Sequence, residues 1–148
     1  MVYLGADHGG FELKEKIKSW LSHWGYIFED CGNTVYDKED DYPDFAFRVA
    51  KKVAFSTDSK GVLVCRSAAG MVIAANKARG VRAVSVFNAE MAKHSREHND
   101  ANIIGLSADF STEIELKNIL KVWLETPFSN EGRHKRRIEK IEKMANSK

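Results

Sequence analysis

Short apolar runs alternate with amphipathic stretches from one end of this chain to the other, the signature of β–α units laid on a parallel sheet. Residues 2–6 read as a first strand, and residues 11–24 as a helix whose Phe11, Ile17, Trp20, Leu21 and Trp24 recur near helical spacing, with Gly25 closing it. A second strand is expected at 26–30 and a polar loop at 31–41. Pro43 stands where a helix can begin at little cost in hydrogen bonds, and Phe45, Val49 and Val53 give that helix a buried stripe. Residues 61–64, 83–87 and 103–106 supply three more strands. Helices are expected over 71–77, from Asn88 as cap toward Glu97, over 112–124, and from Asn130 onward. The last is highly charged, with Ile138, Ile141 and Met144 as its only apolar stripe, which implies docking on a second subunit. The fold class is therefore α/β: a Rossmann-like three-layer sandwich, one five-stranded parallel sheet with helices on both faces, forming one domain over residues 1–148.

Ligands of such sheets sit beyond the carboxyl ends of the strands, so the chemistry found there counts most. The segment GVLVCRSAAG (61–70) ends a strand on Cys65 and passes through small and hydroxyl residues into a helix. That places a thiol beside free amides at a helix N-terminus, where an anion is attracted and a thiol pKa is lowered. Three further clusters are expected to converge with Cys65-Arg66-Ser67: Asp7-His8-Gly9-Gly10 after the first strand, His98-Asn99-Asp100 before the fifth, and Gly132 to Arg137 at the start of the last helix. Arg133 and Arg137, four apart, share a helix face and offer two guanidinium forks to a phosphate. Each cluster also has a plainer explanation. Asp7 could cap a helix, His98 could be an ordinary helix-end histidine, and an arginine pair is usually solvated.

Composition narrows the functional classes. A net charge of +2 over 148 residues argues against nucleic acid as a partner. Cys31 and Cys65 lie far apart, without a CxxC or zinc-type Cys/His spacing, so reduced thiols, a cytoplasmic location and no metal are expected. Neither a signal-peptide pattern nor an apolar run of membrane-spanning length occurs. GxGxxG and GxxxxGK[ST] are absent as well, which removes the dinucleotide and nucleotide-triphosphate fingerprints.

Taken together, Asp7-His8-Gly9, Asp41 to Asp44, Cys65, Ile73 to Lys77, Gly80 to Ala83, His98 to Asn102 and Gly132-Arg133-His134 closely resemble, in order and spacing, the type B ribose-5-phosphate isomerases, a family that includes galactose-6-phosphate isomerase subunits. The resemblance implies a cofactor-free aldose–ketose isomerase of phosphosugars, working through an enediolate. It implies Cys65 as the base between C1 and C2, Ser67 on the reacting oxygens, and backbone amides of Ala69, Gly70 and Met71 as the anion hole. Asp7 and His98 would open the sugar ring, with His98 arriving from a partner subunit. His8, Arg133 and Arg137 would hold the phosphate, and Tyr42 and Asn99 would line the sugar site. For Asn76 a structural contact at a helix end is an equal alternative. A homodimer or dimer of dimers with shared sites follows from the same resemblance.

Two departures from the family pattern stand out. The common loop Cys-Gly-Thr-Gly-x-Gly is here Cys65-Arg66-Ser67-Ala68-Ala69-Gly70, and an arginine frequent after the fifth strand is replaced at Asp109. Arg66 is thereby a candidate for the missing phosphate contact. These changes leave three readings open: a ribose-5-phosphate isomerase with a variant loop, an isomerase of another phosphosugar such as allose 6-phosphate or galactose 6-phosphate, and a sugar-phosphate-binding regulator without turnover.

Overall fold

The structure, a computed structural model, describes residues 1–147. Five strands, β1 (Val2–Ala6), β2 (Phe28–Asp30), β3 (Lys60–Cys65), β4 (Ala83–Ser85) and β5 (Ile103–Ser107), form one sheet in the order β2-β1-β3-β5-β4, every pairing parallel. The central strand is buried from Gly61 to Cys65 and its apolar residues alternate between two cores. Val62 and Val64 face α1 (Phe11–His23), α4 (Ala89–Asn99) and α5 (Glu113–Glu125), while Leu63 and Cys65 face α2 (Tyr42–Ala54) and α3 (Ala69–Ala75). The expected three-layer α/β architecture is the observed one.

Local chemistry sets the element boundaries. Asn88 caps α4 by accepting the Met91 amide at 2.8 Å, and Thr112 with Glu115 closes a capping box on α5. The third helix starts at Ala69, earlier than its apolar periodicity indicates, because Ala68 turns the chain with φ +66°. It stops before Lys77, where bonds from Lys77 to Ala74 and from Ala78 to Ala75 tighten the last turn. The final helix, α6 (Gly132–Asn146), begins after Asn130, whose φ of +59° belongs to the preceding turn. Asn76 takes its structural alternative, since its amide brackets the backbone of Ala83 with bonds of 2.8 and 2.9 Å.

Helix α6 lies outside the layers against α4, its only buried side chain being His134. Ile138 is half-buried, whereas Ile141 and Met144 are 55% and 66% exposed, so the apolar stripe is uncovered within one chain. No described helix is long and apolar enough to cross a membrane.

Candidate active site

Strands β1, β3 and β5 run side by side and bring their carboxyl ends together, with Ala6 opposite Val64 and Cys65 opposite Ser107. The turn after β1 approaches β3 so closely that a Cβ on Gly10 would lie 2.2 Å from the Val64 carbonyl. Asp7 is held in that turn, its Oδ1 accepting the Gly10 amide at 3.1 Å, and its burial pushes the carboxyl above its ordinary 3.8.

Cys65 is a buried free thiol whose Sγ accepts the Ala68 amide at 3.1 Å. The amides of Ala68, Ser67 and Met71 favour the thiolate, but burial and then the neighbouring Asp7 carboxylate outweigh them, so the pKa rises. This corrects the expectation of a thiol lowered by the helix end, and the reason is physical. A short helix start offers a few amides, whereas the site removes water from the sulfur and sets a carboxylate beside it.

Around the thiol, Ser67 and Ala69 are exposed on the loop, and Met71 turns its side chain into the core. Gly70 lies beneath Tyr42, whose ring would be 2.8 Å from a Cβ there. Of the two glycines missing from the loop pattern, only Ala68 occupies a left-handed backbone; Arg66 does not.

Arg66 extends over Gly9 and its Nε donates to Asp109 Oδ2 at 3.1 Å. Backbone bonds from Ala108 to Cys65 and from Asp109 to Arg66, and the Ser107 hydroxyl on the Arg66 carbonyl at 2.6 Å, sew the two loops together. Beside them opens a cavity of about 460 Å³ lined by His8, Lys16, Tyr36, Arg66 and Asp109 among others. His8 stands at its wall. Asp40 Oδ1 accepts both the His8 backbone amide at 3.0 Å and its Nδ1–H at 2.7 Å, an ion pair that raises the imidazole pKa above 6.5. Asp7, His8 and Asp40 also form the single group of donor atoms, among the described residues, compact enough to consider for a cation.

The other expected residues lie elsewhere. In each β–α unit the helix runs back against its strand, so α4 leaves the carboxyl end of β4 and delivers His98 and Asn99 to the amino end of β5, about 16 Å away along an eleven-residue helix. There the His98 ring is stacked on His134 of α6 at 4.2 Å between centroids, and the His94 ring, tilted by 52°, lies 3.8 Å from it. His134 is buried, its Nε2 without a hydrogen bond but 3.8 Å from Glu131 Oε2, and burial followed by the His98 charge pushes its pKa down. Arg133 is exposed with its Nε on Glu131 at 2.9 Å, and Arg137 is exposed on the same helix. The four clusters therefore do not converge in one chain. Asp7, His8, Tyr42 and the Cys65 loop gather at one end of the sheet, and His98, Asn99, Arg133 and Arg137 at the other.

One neighbour of the site, Asp40, went unnoticed in the sequence, and His134, within the matched Gly132-Arg133-His134, was given no role of its own. Asp40 adjoins the matched Asp41-Tyr42-Pro43-Asp44 segment, but neither position reveals its ring contact without the fold.

Comparison with known proteins gives one consistent result. The model of the Ribose/Galactose Isomerase family matches residues 2–141. Ribose-5-phosphate isomerase B of Mycolicibacterium paratuberculosis is 41% identical over 138 residues, 93% of this chain and 87% of that protein. The crystal structure of ribose-5-phosphate isomerase B from Mycoplasma genitalium with bound ribulose-5-phosphate superposes with a TM-score of 0.95 at 38% identity, covering 99% of this chain and 97% of that one. The type B ribose 5-phosphate isomerase from Trypanosoma cruzi gives 0.94 at 40% identity, with 99% of both chains covered.

Proposed function

Since the chain belongs to the Ribose/Galactose Isomerase family, we propose that it interconverts ribose 5-phosphate and ribulose 5-phosphate by proton transfer through a cis-enediolate, without metal or organic cofactor. The observation that carries this reading is the buried Cys65 thiol beside Asp7, with the amides of Ser67, Ala68 and Met71 directed at it. Cys65 as thiolate takes the proton from C2 of the open aldose, and the electron pair moves into the C1–C2 bond while charge develops on O1. The enediolate then recovers that proton at C1, and a proton passes from O2 to O1, leaving the ketose. Amides at the start of α3 and the Ser67 hydroxyl stabilise the oxyanion, the largest electrostatic contribution in such chemistry. Asp7, whose raised pKa suits a proton carrier, exchanges protons with His98 during ring opening.

His98, Asn99, Arg133 and Arg137 reach this site from a second copy of the chain. Support for a shared site comes from the opposite placement of the two clusters and from the exposed Ile141–Met144 stripe of α6. His8 and Arg66, with the second copy's arginines, take the phosphate; Tyr42 lies along the sugar.

The test is kcat/KM for ribose 5-phosphate beside allose 6-phosphate and galactose 6-phosphate, with Cys65→Ala as control. Pentose turnover that disappears with Cys65 is expected. Turnover of a hexose phosphate alone would transfer the assignment to that sugar, and binding without turnover of any of them would make the protein a binder. Mixing Cys65→Ala with His98→Ala chains tests the shared site. Each variant is inactive alone, and random exchange restores about a quarter of wild-type activity, since half the dimers are mixed and each carries one intact site. No recovery after exchange would show that each chain uses its own His98.

A further inference from the structure

Asp40 stands in the polar loop between β2 and α2, with a nearly buried carboxylate: its side chain is 5% exposed. One of its oxygens accepts two bonds from His8, and the other accepts Asn33 Nδ2 at 3.3 Å. Asn33 is itself fixed, because the fully buried Lys14 donates to the Asn33 carbonyl at 2.7 Å and is ion-paired with Asp30. Asp30 in turn accepts the Gly32 amide at 2.9 Å. A chain of satisfied polar contacts thus runs from α1 through the loop to the imidazole, and the ring cannot turn without breaking it.

The consequence for ligand binding follows from proton counting. An ionised carboxylate only accepts, so the Nδ1 facing Asp40 carries a proton. A neutral ring with its proton on Nδ1 presents a lone pair at Nε2, which repels an anion. Only the imidazolium presents an N–H there. We propose that Asp40 is a positioning residue that holds His8 as a cation with Nε2–H free for an anion, so that phosphate capture depends on the Asp40–His8 pair. This rests on the phosphosugar reading of the site and adds a residue outside the matched motif.

Other charges also face the ring. Asp7 reinforces the cation and Arg66 opposes it, while Glu12 and Lys16 of α1, with Asp109 and Glu113, line the same cavity. Arg66 is neutralised by Asp109 and is 71% exposed, so Asp40, in direct contact, dominates.

Two readouts test the proposal without depending on turnover. The His8 ring is titrated by NMR in wild-type protein and in Asp40→Asn, and the dissociation constant of inorganic sulfate, a dianion at every pH used, is measured at pH 5.5 and 8. In wild type the ring is expected to titrate above 6.5, and Asp40→Asn to lower its midpoint by about one unit, a tenfold change in proton affinity. Sulfate should then weaken about tenfold at pH 8 and little at pH 5.5, where either ring is charged. In a His8→Gln background the Asp40→Asn change should add nothing. An unmoved His8 titration, equal weakening at both pH values, or no sulfate binding by the wild type would each overturn the proposal. The isomerase reading stands or falls separately: turnover with an unshifted ring sinks only the role of Asp40, and a shifted ring without turnover sinks only the isomerase.

Discussion

Cys65 and Asp7 are two acids that burial pushes in the same direction, and each has a measurable consequence. A thiol raised above its ordinary range is mostly protonated at neutral pH, so turnover should climb with pH through neutrality into the alkaline range as the thiolate fraction grows. Alkylation of Cys65 should follow the same curve; a rate flat with pH would exclude the thiolate as base. For Asp7, the raised folded pKa means that ionisation opposes folding. The cost is absent well below 3.8, develops as pH rises through the window between 3.8 and the folded value, and is fully present above it. Asp7→Asn should therefore raise Tm at pH 7, leave it unchanged at pH 3, and still abolish ring opening. An unchanged Tm at pH 7 would mean that the carboxylate is already compensated. At this scale the sequence was legible where a residue's neighbours in the chain are also its neighbours in space, as at Cys65 and its loop. It was not legible at Asp40. The segment from Asp37 to Asp41 holds four acids, and only the return of the loop across β1 decides which of them meets His8.

Elements were read well because their causes are local. Apolar periodicity, Asn88 as a cap and Pro43 near a helix start are short-range signals, and the helices and strands they marked are present. The variant loop shows where such reasoning stops. Ala68 keeps the left-handed turn that a glycine would adopt freely, at a cost of about 1 kcal/mol, so the turn into α3 survives the loss of the glycine. Arg66 and Asp109, two separate departures in sequence, are one ion pair in space. Both side chains are largely exposed, and pairs of that kind contribute at most about 1 kcal/mol to stability. Asp109→Ala should leave Tm within experimental error and change KM for the phosphosugar far more than kcat, as Arg66 loses its anchor. A fall in Tm with KM intact would make the pair a structural strut instead.

For the molecule as a whole, composition and periodicity indicated a single α/β domain, but the expected convergence of four clusters overlooked helix polarity. His98 and Arg133 were expected to meet Cys65 at the strand ends, yet the sheet puts its length between them. Helix α6 is the element on which this matters. Ile141 and Met144 are exposed in the chain, so Ile141→Asp combined with Met144→Asp should leave the circular dichroism spectrum intact while the sedimentation coefficient drops to that of a monomer and turnover is lost. A monomer that retained turnover would show that the second copy supplies nothing to the chemistry.

The separation of Cys65 from His98 also predicts a rate law for the proposed shared site. If each site draws on two copies, a fold complete as a structure is incomplete as a catalyst, and the reactive species is a product of mass action. Above the protomer dissociation constant, velocity is first order in enzyme. Below it, velocity tends toward second order, and specific activity falls with every dilution while the substrate stays saturating. The amount of chain present would then govern both how many catalysts exist and what fraction of the folded protein is a catalyst at all.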